Sequence, residues 1–443
     1  MTDTNDVQPA TAVAPSTQRL AKQMVLSAVA NLAPPAAGFA VAPVLAQALG
    51  AEQRGIVAAA TAPLLLMTTL AMFGIPEAVT YLIARDPSNA RQALKKGLLL
   101  LVAAGLVATG AVLLLAGPLS GNNPRAEELI RIAALFVLPT TLVSGIRALP
   151  RGLHEWHYVN LEKYITSATR LIFLFGAFSI GALSPLGAVL VLSMAPVIGG
   201  FAFLRPLLRL RSKTSSRPVG LREITSFSLV VWLGSVSGII LGKIDQAIML
   251  PLSDARQLGY YAAAASVGDA VLVINNAVRD ISFSAQSSGS DPSVLQRSAR
   301  ISFLAGLAMS SVIILPIHFW FPLLFGQDFA PAIPVVIILT LAAVIGIPGS
   351  VAGAGLVGRG RPGAVSTSLI LAAAVNVLAV IALVPPLGAI GAAVATLAGN
   401  VIASNLNIIV LKRIYSVPMM GFYLIRPSDF RAILRLIKRV GKK

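Results

Sequence analysis

The chain reads as an all-helical polytopic membrane protein whose twelve transmembrane helices form two pseudo-symmetric six-helix lobes around a central cavity. Three observations lead there. Of 443 residues, 56% are hydrophobic and only 12% charged, with a mean hydropathy of +0.82, whereas soluble domains carry about 25% charged residues. Apolar runs of about the ~20 residues needed to span a bilayer recur along the whole length. Short motifs of the first half return about 200 residues later. Cysteine is absent and there are three histidines, which excludes disulfides, thiol catalysis and Cys-based zinc sites and leaves little to hold a metal. No Gly-rich loop ending in Gly-Lys-Ser/Thr occurs, so ATP hydrolysis is not expected.

In chain order, residues 1–23 are polar and rich in Thr, Ala and Pro without a basic start, and read as a disordered cytoplasmic tail rather than a signal peptide. The N-lobe, 24–204, holds spans at 24–50, 55–83, 97–117, 127–146, 161–182 and 186–204. A basic cytoplasmic linker, 205–223, follows with Arg205, Arg209, Arg211, Lys213, Arg217 and Arg222. The C-lobe, 224–411, holds spans at 224–241, 257–278, 301–324, 331–357, 363–384 and 387–411. The tail, 412–443, carries an amphipathic pattern. Ser428 can cap a helix whose Phe430, Ile433, Leu434, Ile437 and Val440 recur at spacings of 3 and 4, with Arg431, Arg435, Lys438, Arg439 and Lys442 on the other faces. Such a helix lies on a membrane surface.

The charge is as biased as the hydropathy: 35 Lys and Arg against 17 Asp and Glu, a net of +18. In a soluble protein this would suggest nucleic acid; in a membrane protein it first reports topology. With both termini cytoplasmic, 29 basic residues fall on inner segments, five on external turns and one, Arg170, inside a span. Nine acids share the inner face, leaving it near +20 and the external turns near −1. The expected location is therefore a membrane with both termini on its cytoplasmic side, with the basic loops against anionic lipid and no nucleic-acid partner.

The turn after the first span, Leu49-Gly50-Ala51-Glu52-Gln53-Arg54-Gly55, aligns with Leu252-Ser253-Asp254-Ala255-Arg256-Gln257-Leu258-Gly259 after the seventh, given one inserted residue and an offset of 204 at the glycine. Pro185-Leu186-Gly187-Ala188 returns as Pro386-Leu387-Gly388-Ala389, and Arg151-Gly152 after the fourth span corresponds to Val357-Gly358 after the tenth. Three anchors in one order at nearly one offset indicate a duplicated six-helix unit. Because six is even, both copies enter from the same side, as a parallel repeat.

Together with Phe73-Gly74-Ile75-Pro76-Glu77-Ala78-Val79-Thr80-Tyr81, Lys243-Ile244-Asp245-Gln246 and Leu324-Phe325-Gly326-Gln327-Asp328-Phe329-Ala330-Pro331, these segments resemble bacterial polysaccharide flippases of the Wzx type. Those belong to the multidrug/oligosaccharidyl-lipid/polysaccharide (MOP) exporter superfamily, so the expected fold is MATE/MOP-like. The resemblance implies a V-shaped cavity, alternating access, a cargo of undecaprenyl-diphosphate-linked sugar, and a basic residue at Lys243 on a cavity-facing seventh helix. It also implies a setting among glycosyltransferases and a polysaccharide polymerase.

Charges inside spans are the first candidates for function, because each costs at least ~2.5–3.5 kcal/mol at the bilayer centre. They are Glu77, Arg170 and Asp269. Arg170 is suited to a diphosphate, whose oxygens accept from its fork of donors, while Asp269 and Glu77 are candidates for exchanging H+ or binding Na+. The same three could instead pair and pin the bundles together. Lys243, Arg279, Asn275 and Asn276 complete the expected cargo-binding set, with Arg279 also readable as a snorkelling anchor. Arg54 and Arg256 are either solvated turn residues or a symmetric basic ring at the outer mouth. No cofactor is expected beyond the ion gradient.

The fold admits other functions. A drug/cation antiporter calls for an acidic cavity, and a glycan polymerase or ligase calls for paired carboxylates or a catalytic His on a large external loop, whereas the longest external connection runs only over residues 242–256. Lipid II flippases resemble fourteen-span members of the superfamily. His154-Glu155-Trp156-His157 has its histidines three apart and is not the H-E-x-x-H metal pattern.

Overall fold

In the computed structural model, residues 17–210, 220–287, 291–424 and Asp429 are described. Nearly all of them are helical. Helix α1, Thr17–Met72, is broken at Gly50, where φ 70° and ψ 176° turn the chain back, so it supplies the first span and most of the second. Helix α2, Ile75–Arg85, completes the second span beyond a left-handed Phe73-Gly74 step. The third span is α3, Ala90–Ser120. The fourth runs through α4, Pro124–Ala134, α5, Val137–Ile146, and α6, Ala148–Gly152. The fifth is α7, Trp156–Ser179, and the sixth α8, Pro185–Gly199, prolonged by a 3-10 turn and α9, Leu204–Leu208.

Across the linker, α10, Leu221–Leu252, and α11, Ala255–Ser287, are the seventh and eighth spans. The ninth comprises α12, Pro292–Ile314, and α13, Ile317–Phe325; the tenth is α14, Ile333–Gly358. Helix α15, Pro362–Tyr415, breaks at Gly388 into the eleventh and twelfth, and a single turn, α16, Met420–Tyr423, follows. Asp291 caps α12 through the Ser293 backbone N–H at 2.7 Å, a bond that holds its carboxyl below the usual range.

Among the described residues, seven stretches are long and apolar enough to cross a membrane by composition, two of them, Leu26–Met72 and Pro362–Tyr415, folded back at their glycines. Helices α7, α10 and α11 hold 24, 32 and 33 residues, enough at 1.5 Å each for a ~30 Å hydrocarbon layer. Their charged residues have a use inside the molecule. By contrast α3 is very apolar, with Leu99, Leu106, Val107 and Leu114 exposed on its outer face, as expected of a lipid-facing helix.

The duplicated turns meet at one end of the molecule. A Cβ on Gly55 would lie 1.7 Å from the Ala255 carbonyl oxygen, and one on Gly259 would lie 1.8 Å from that of Ala51. The two glycines named by the repeat therefore face each other's helix reciprocally across the lobe boundary, and only hydrogen fits between the backbones. Ala58, Ala59 and Ala60 on α1 and Ala262, Ala263 and Ala264 on α11 continue the contact as buried small residues. At the same end the backbone of Gly121 packs on Leu250 and Pro251, and the Gln47 side-chain amide donates to the Leu324 carbonyl at 2.7 Å. We call this end the gate face and the opposite one, which carries the linker, the linker face.

The other repeated motif shows how one tetrapeptide is used twice. In the N-lobe it opens α8, with the Ser184 hydroxyl accepting from the Gly187 N–H at 3.1 Å. In the C-lobe the same letters sit at the α15 break, where Gly388 takes φ 57° and the Gln257 side chain from α11 accepts from the Ala389 N–H at 3.0 Å. A serine cap on its own chain is replaced by a glutamine cap from a neighbouring helix.

Two boundaries differ from expectation. The seventh span continues to Leu252, so Lys243 and Asp245 lie inside it rather than in an external turn, and α1 resumes directly after Gly50, placing Arg54 inside the second span. In sequence each charge reads as a span terminus, whereas the helix continues because the charge has an internal partner or cavity. The N-terminal tail to residue 16, linker residues Arg211, Lys213 and Arg217, and the amphipathic tail from Pro427, apart from Asp429, lie outside the described residues.

Asp429 itself is fully buried at the linker face. It accepts from Arg300 Nε at 2.7 Å and Nη2 at 3.1 Å, while Arg300 Nη1 donates to the Gly421 carbonyl at 2.6 Å and the Gln296 amide reaches the Pro418 carbonyl at 2.9 Å. This latch ties the chain beyond the last span to α12.

Two tests follow from this packing. Gly55→Val should hold the gate face apart, because overpacking by even one methylene group costs ~1–3 kcal/mol and the obstacle here is backbone. In a chain with no native cysteine, a Thr61→Cys probe should then react with an impermeant thiol reagent applied at the gate face; unchanged protection would sink the assignment. For the latch, Arg300→Leu strands the Asp429 carboxylate and should cost about 3–5 kcal/mol, with Arg300→Leu/Asp429→Leu recovering part of it; thermal unfolding in detergent reads both.

Candidate functional site

Between the lobes lies a cavity of about 620 Å³. Both arms of α1 line it, with α5, α7 and α8 from the N-lobe and α10 and α11 from the C-lobe. Its wall is mostly apolar, and five ionisable side chains interrupt it: Arg54, Arg147, Arg170, Lys243 and Asp269. Four cations face one carboxylate.

The cations are stacked along the membrane normal. At 1.5 Å per residue, Arg54 lies about 6 Å from the Gly50 break at the gate face, Arg170 and Lys243 each about 14 Å from the gate-side ends of their helices, and Arg147 about 8 Å from the linker-face end of α6. Arg54 is 8% exposed, and its Nε is buried without a hydrogen-bond partner, as are Nε of Arg147 and Nε of Arg170. Guanidinium groups present five donors each, so this wall holds donors aimed at no acceptor of the protein.

Arg147 is anchored by Glu162, buried on α7, at 2.9 Å. Lys243 sits 3.4 Å from Asp269, whose side chain is 55% exposed to the cavity. Thr61, Thr68, Thr69, Thr140, Ser144, Gln246, Ser266 and Asn276 supply neutral polar groups around them. The site combines a basic ladder with hydroxyls and amides inside an apolar shell, an arrangement suited to an anionic headgroup bearing many hydroxyls.

The sequence-derived candidates divide on this geometry. Arg170, Lys243, Asp269 and Asn276 share the cavity. Arg54 joins them, but as a buried wall residue and not as a solvated turn or half of an outer ring. Arg256 stays exposed at the gate face, in a separate 240 Å³ recess with Glu52, Tyr260 and Asp328. The two arginines are not equivalent because Arg54 stands one residue before its contact glycine and Arg256 three before, a rotation of about 200° on a helix. Glu77 lies outside the cavity, 3.8 Å from Arg151, with both side chains more than a third exposed.

Arg279 lines a different, 260 Å³ pocket inside the C-lobe, and Asn275 is buried off its lining, donating to the hydroxyl of Ser350 on that lining at 3.1 Å. One helical turn cannot point Asn275, Asn276 and Arg279 the same way, since neighbours differ by 100°. Neither does Arg170 form an ion pair with an acid among the described residues; its charge is left to the cavity.

Two functional residues escape the linear reading. Arg147 looks like a loop residue because it follows the fourth apolar run directly; its sequence signal is Glu162, fifteen residues on at the start of the next run. Asp245 looks like a span end, yet it is 1% exposed. Tyr261 from α11 donates to its carboxylate, Thr396 of α15 lies 3.0 Å from Oδ2, and the Gln246 N–H donates to Oδ1 at 2.7 Å. No cation of the protein lies within ion-pair distance of it among the described residues.

Solved structures share this architecture. An inward-facing multidrug-resistance MATE transporter of the MOP superfamily superposes with a TM-score of 0.67 at 16% identity over 90% of this chain and all of the other. The lipid II flippase MurJ, in an inward closed conformation, gives 0.72 at 12% identity over 90% and 89%. The MATE multidrug transporter DinF-BH gives 0.58 at 15% over 96% and 100%. At such identities the likeness shows the fold alone. No curated protein matches by sequence. The family model described as polysaccharide biosynthesis protein matches residues 20–283, more than half of the chain. The chain, which shares the fold of these transporters, thus belongs to the polysaccharide biosynthesis protein family.

Proposed function

We propose that the protein is a flippase that moves an undecaprenyl-diphosphate-linked oligosaccharide, the repeat unit of an O-antigen, capsule or exopolysaccharide, from the inner to the outer leaflet of a bacterial plasma membrane. The observation that carries this reading is the cavity wall: four cations to one carboxylate, with three guanidinium Nε groups unpartnered. A diphosphate supplies the missing acceptors. The sugars meet the hydroxyls and amides of α1, α5 and α11, and the polyprenyl tail stays in lipid. A carrier of cationic drugs would need the opposite balance. Family membership and the likeness to a lipid II flippase agree with a lipid-linked glycan.

The topology of charge supports a linker face in the cytoplasm. The glycine contact then seals the outer side, in keeping with relatives whose conformations are described as inward-facing and inward closed. Transport would separate Gly55 from Gly259 while the linker face closes, passing the diphosphate up the ladder from Arg147 through Arg170 and Lys243 to Arg54. An H+ or Na+ gradient would drive the cycle through two C-lobe acids. Asp269, paired with Lys243, senses the cavity; Asp245, buried without a counter-cation, is the group whose charge state the ion would change. Glycosyltransferases and a polymerase are the partners before and after this step.

Two outcomes check the proposal. In cells lacking the chromosomal copy, Arg54→Gln and Arg170→Gln should each cut glycan export by about 10- to 100-fold, the loss of one ~1.5–3 kcal/mol charge-assisted bond, with lipid-linked glycan accumulating on the cytoplasmic leaflet; normal export at normal protein level ends the cargo assignment. Asp245→Asn should retain cargo binding and lose dependence of export on the ion gradient, whereas Asp269→Asn should weaken binding through Lys243. Export that still follows the gradient in Asp245→Asn removes the coupling role from that residue.

A further inference from the structure

Below Asp245, on the linker-face side, the C-lobe contains its own polar space. The 260 Å³ pocket is bounded by Leu241, one turn from Asp245 on α10, by Gly346, Ser350 and Gly353 of α14, by Asn400, Ser404 and Asn407 of α15, and by Arg279 of α11. None of these residues lines the cargo cavity. On α15, Thr396, Asn400, Ser404 and Asn407 are spaced 4, 4 and 3 residues apart, so one face carries a polar stripe from the Asp245 carboxylate to about 16 Å deeper.

Buried polar atoms without partners mark this stripe. Asn376, fully buried, has neither amide oxygen nor nitrogen bonded, and it packs on Gly399, three residues below Thr396; Oδ1 of Asn275 and of Asn407 are likewise unpartnered. Each such group costs about 1–3 kcal/mol if left dry, and a pocket of this size has room for several waters at about 30 Å³ each. Arg279 is the sole ionisable group on its lining among the described residues. With no carboxylate on its lining the pocket offers a metal cation no charged ligand, while amides, hydroxyls and water can pass a proton along a chain of hydrogen bonds.

We infer that the C-lobe encloses a water-filled proton path joining Asp245 to the linker face, separate from the cargo cavity. The protonated Asp245 carboxyl releases its proton to water in the pocket and becomes a carboxylate; the proton leaves along the water held by Asn400, Ser404 and Asn407. Facing that carboxyl are Tyr261 from α11, Thr396 from α15 and Gln246 from its own helix, with Lys243 two residues away on the cavity side. The path rests on the coupling role given to Asp245, and it lets the driving ion and the glycan use different openings in one conformation.

The test reads the path without any cargo. Full-length protein in vesicles of each orientation is treated with dicyclohexylcarbodiimide, which modifies protonated buried carboxyls, and modification of Asp245 is followed by mass spectrometry while pH is changed on one side. Modification should follow linker-face pH and ignore gate-face pH, and that response should be lost in Asn400→Leu and Ala403→Leu, which fill the pocket. A single Ala403→Cys, read with a small cationic thiosulfonate from the linker face, should be labelled, which keeps the test open should a filled variant misfold. Modification that follows gate-face pH, that is blocked by sodium instead of alkali, or an inert Ala403→Cys would overturn the path. Gradient-dependent export in Asp245→Asn would remove only the coupling role.

Discussion

The tightest glycine contacts among the described residues are also those on which the cavity depends. Gly55 and Gly259 lie at matching steps of the two six-helix units, and each meets the other unit's backbone at a distance no side chain tolerates. Helices in a bilayer gain little from hydrophobic association, since lipid is as apolar as Leu, so lobes are held by van der Waals contact over small residues. Such a seal is strong while closed and leaves nothing polar to satisfy once parted. A gate of ion pairs would leave charges in hydrocarbon on opening; a gate of glycine and alanine does not. The duplication thus supplies the two-fold contact, and the contact closes one end of the cavity that the two lobes enclose.

Against that apolar frame the buried charges sort by lobe. The N-lobe holds the guanidinium ladder, Arg54, Arg147 and Arg170, with Glu162 fixing the lowest rung. The C-lobe holds the acids, Asp245 and Asp269, with Lys243 bridging to the cavity. In the proposed cycle, two copies of one unit have diverged into a half that receives negative charge and a half that can change its own. Mid-membrane charges persist only where something recovers their desolvation cost. Here the N-lobe charges are left for a ligand to neutralise, and Asp245 is held by hydroxyl and amide donors.

Much of this is legible in the sequence. Hydropathy and the recurrent motifs indicate twelve helices in two lobes, and Arg170, Lys243 and Asp269 stand out as charges in or beside apolar runs. What the linear pattern misjudges is where helices stop. Lys243-Ile244-Asp245 and Arg54 look like span ends because charge ordinarily marks the interface, yet α10 runs on to Leu252 and α1 restarts at Ala51. Azimuth is equally hidden: Asn275, Asn276 and Arg279 are neighbours in sequence but face different cavities, and Glu77, though within an apolar run, turns to Arg151. Side-chain replacement within the duplicated turns, invisible to composition, is what removes Arg256 from the position its partner's symmetry suggests: counted from the contact glycines, Arg256 stands where Glu52 does and Leu258 where Arg54 does.

That replacement shows how a parallel repeat acquires direction. A strictly two-fold protein would bind its ligand equally from either lobe and place equal charge on both walls. Moving one arginine around its helix by two residues keeps the glycine contact, which needs only backbone, while leaving Leu258 buried where Arg54 stands in the first copy. The seal remains symmetric because it is built from main chain; the cavity becomes asymmetric because it is built from side chains. Packing and chemistry are therefore separable along the same two helices, so substitutions lining the cavity can change its charge without touching the contact that closes it.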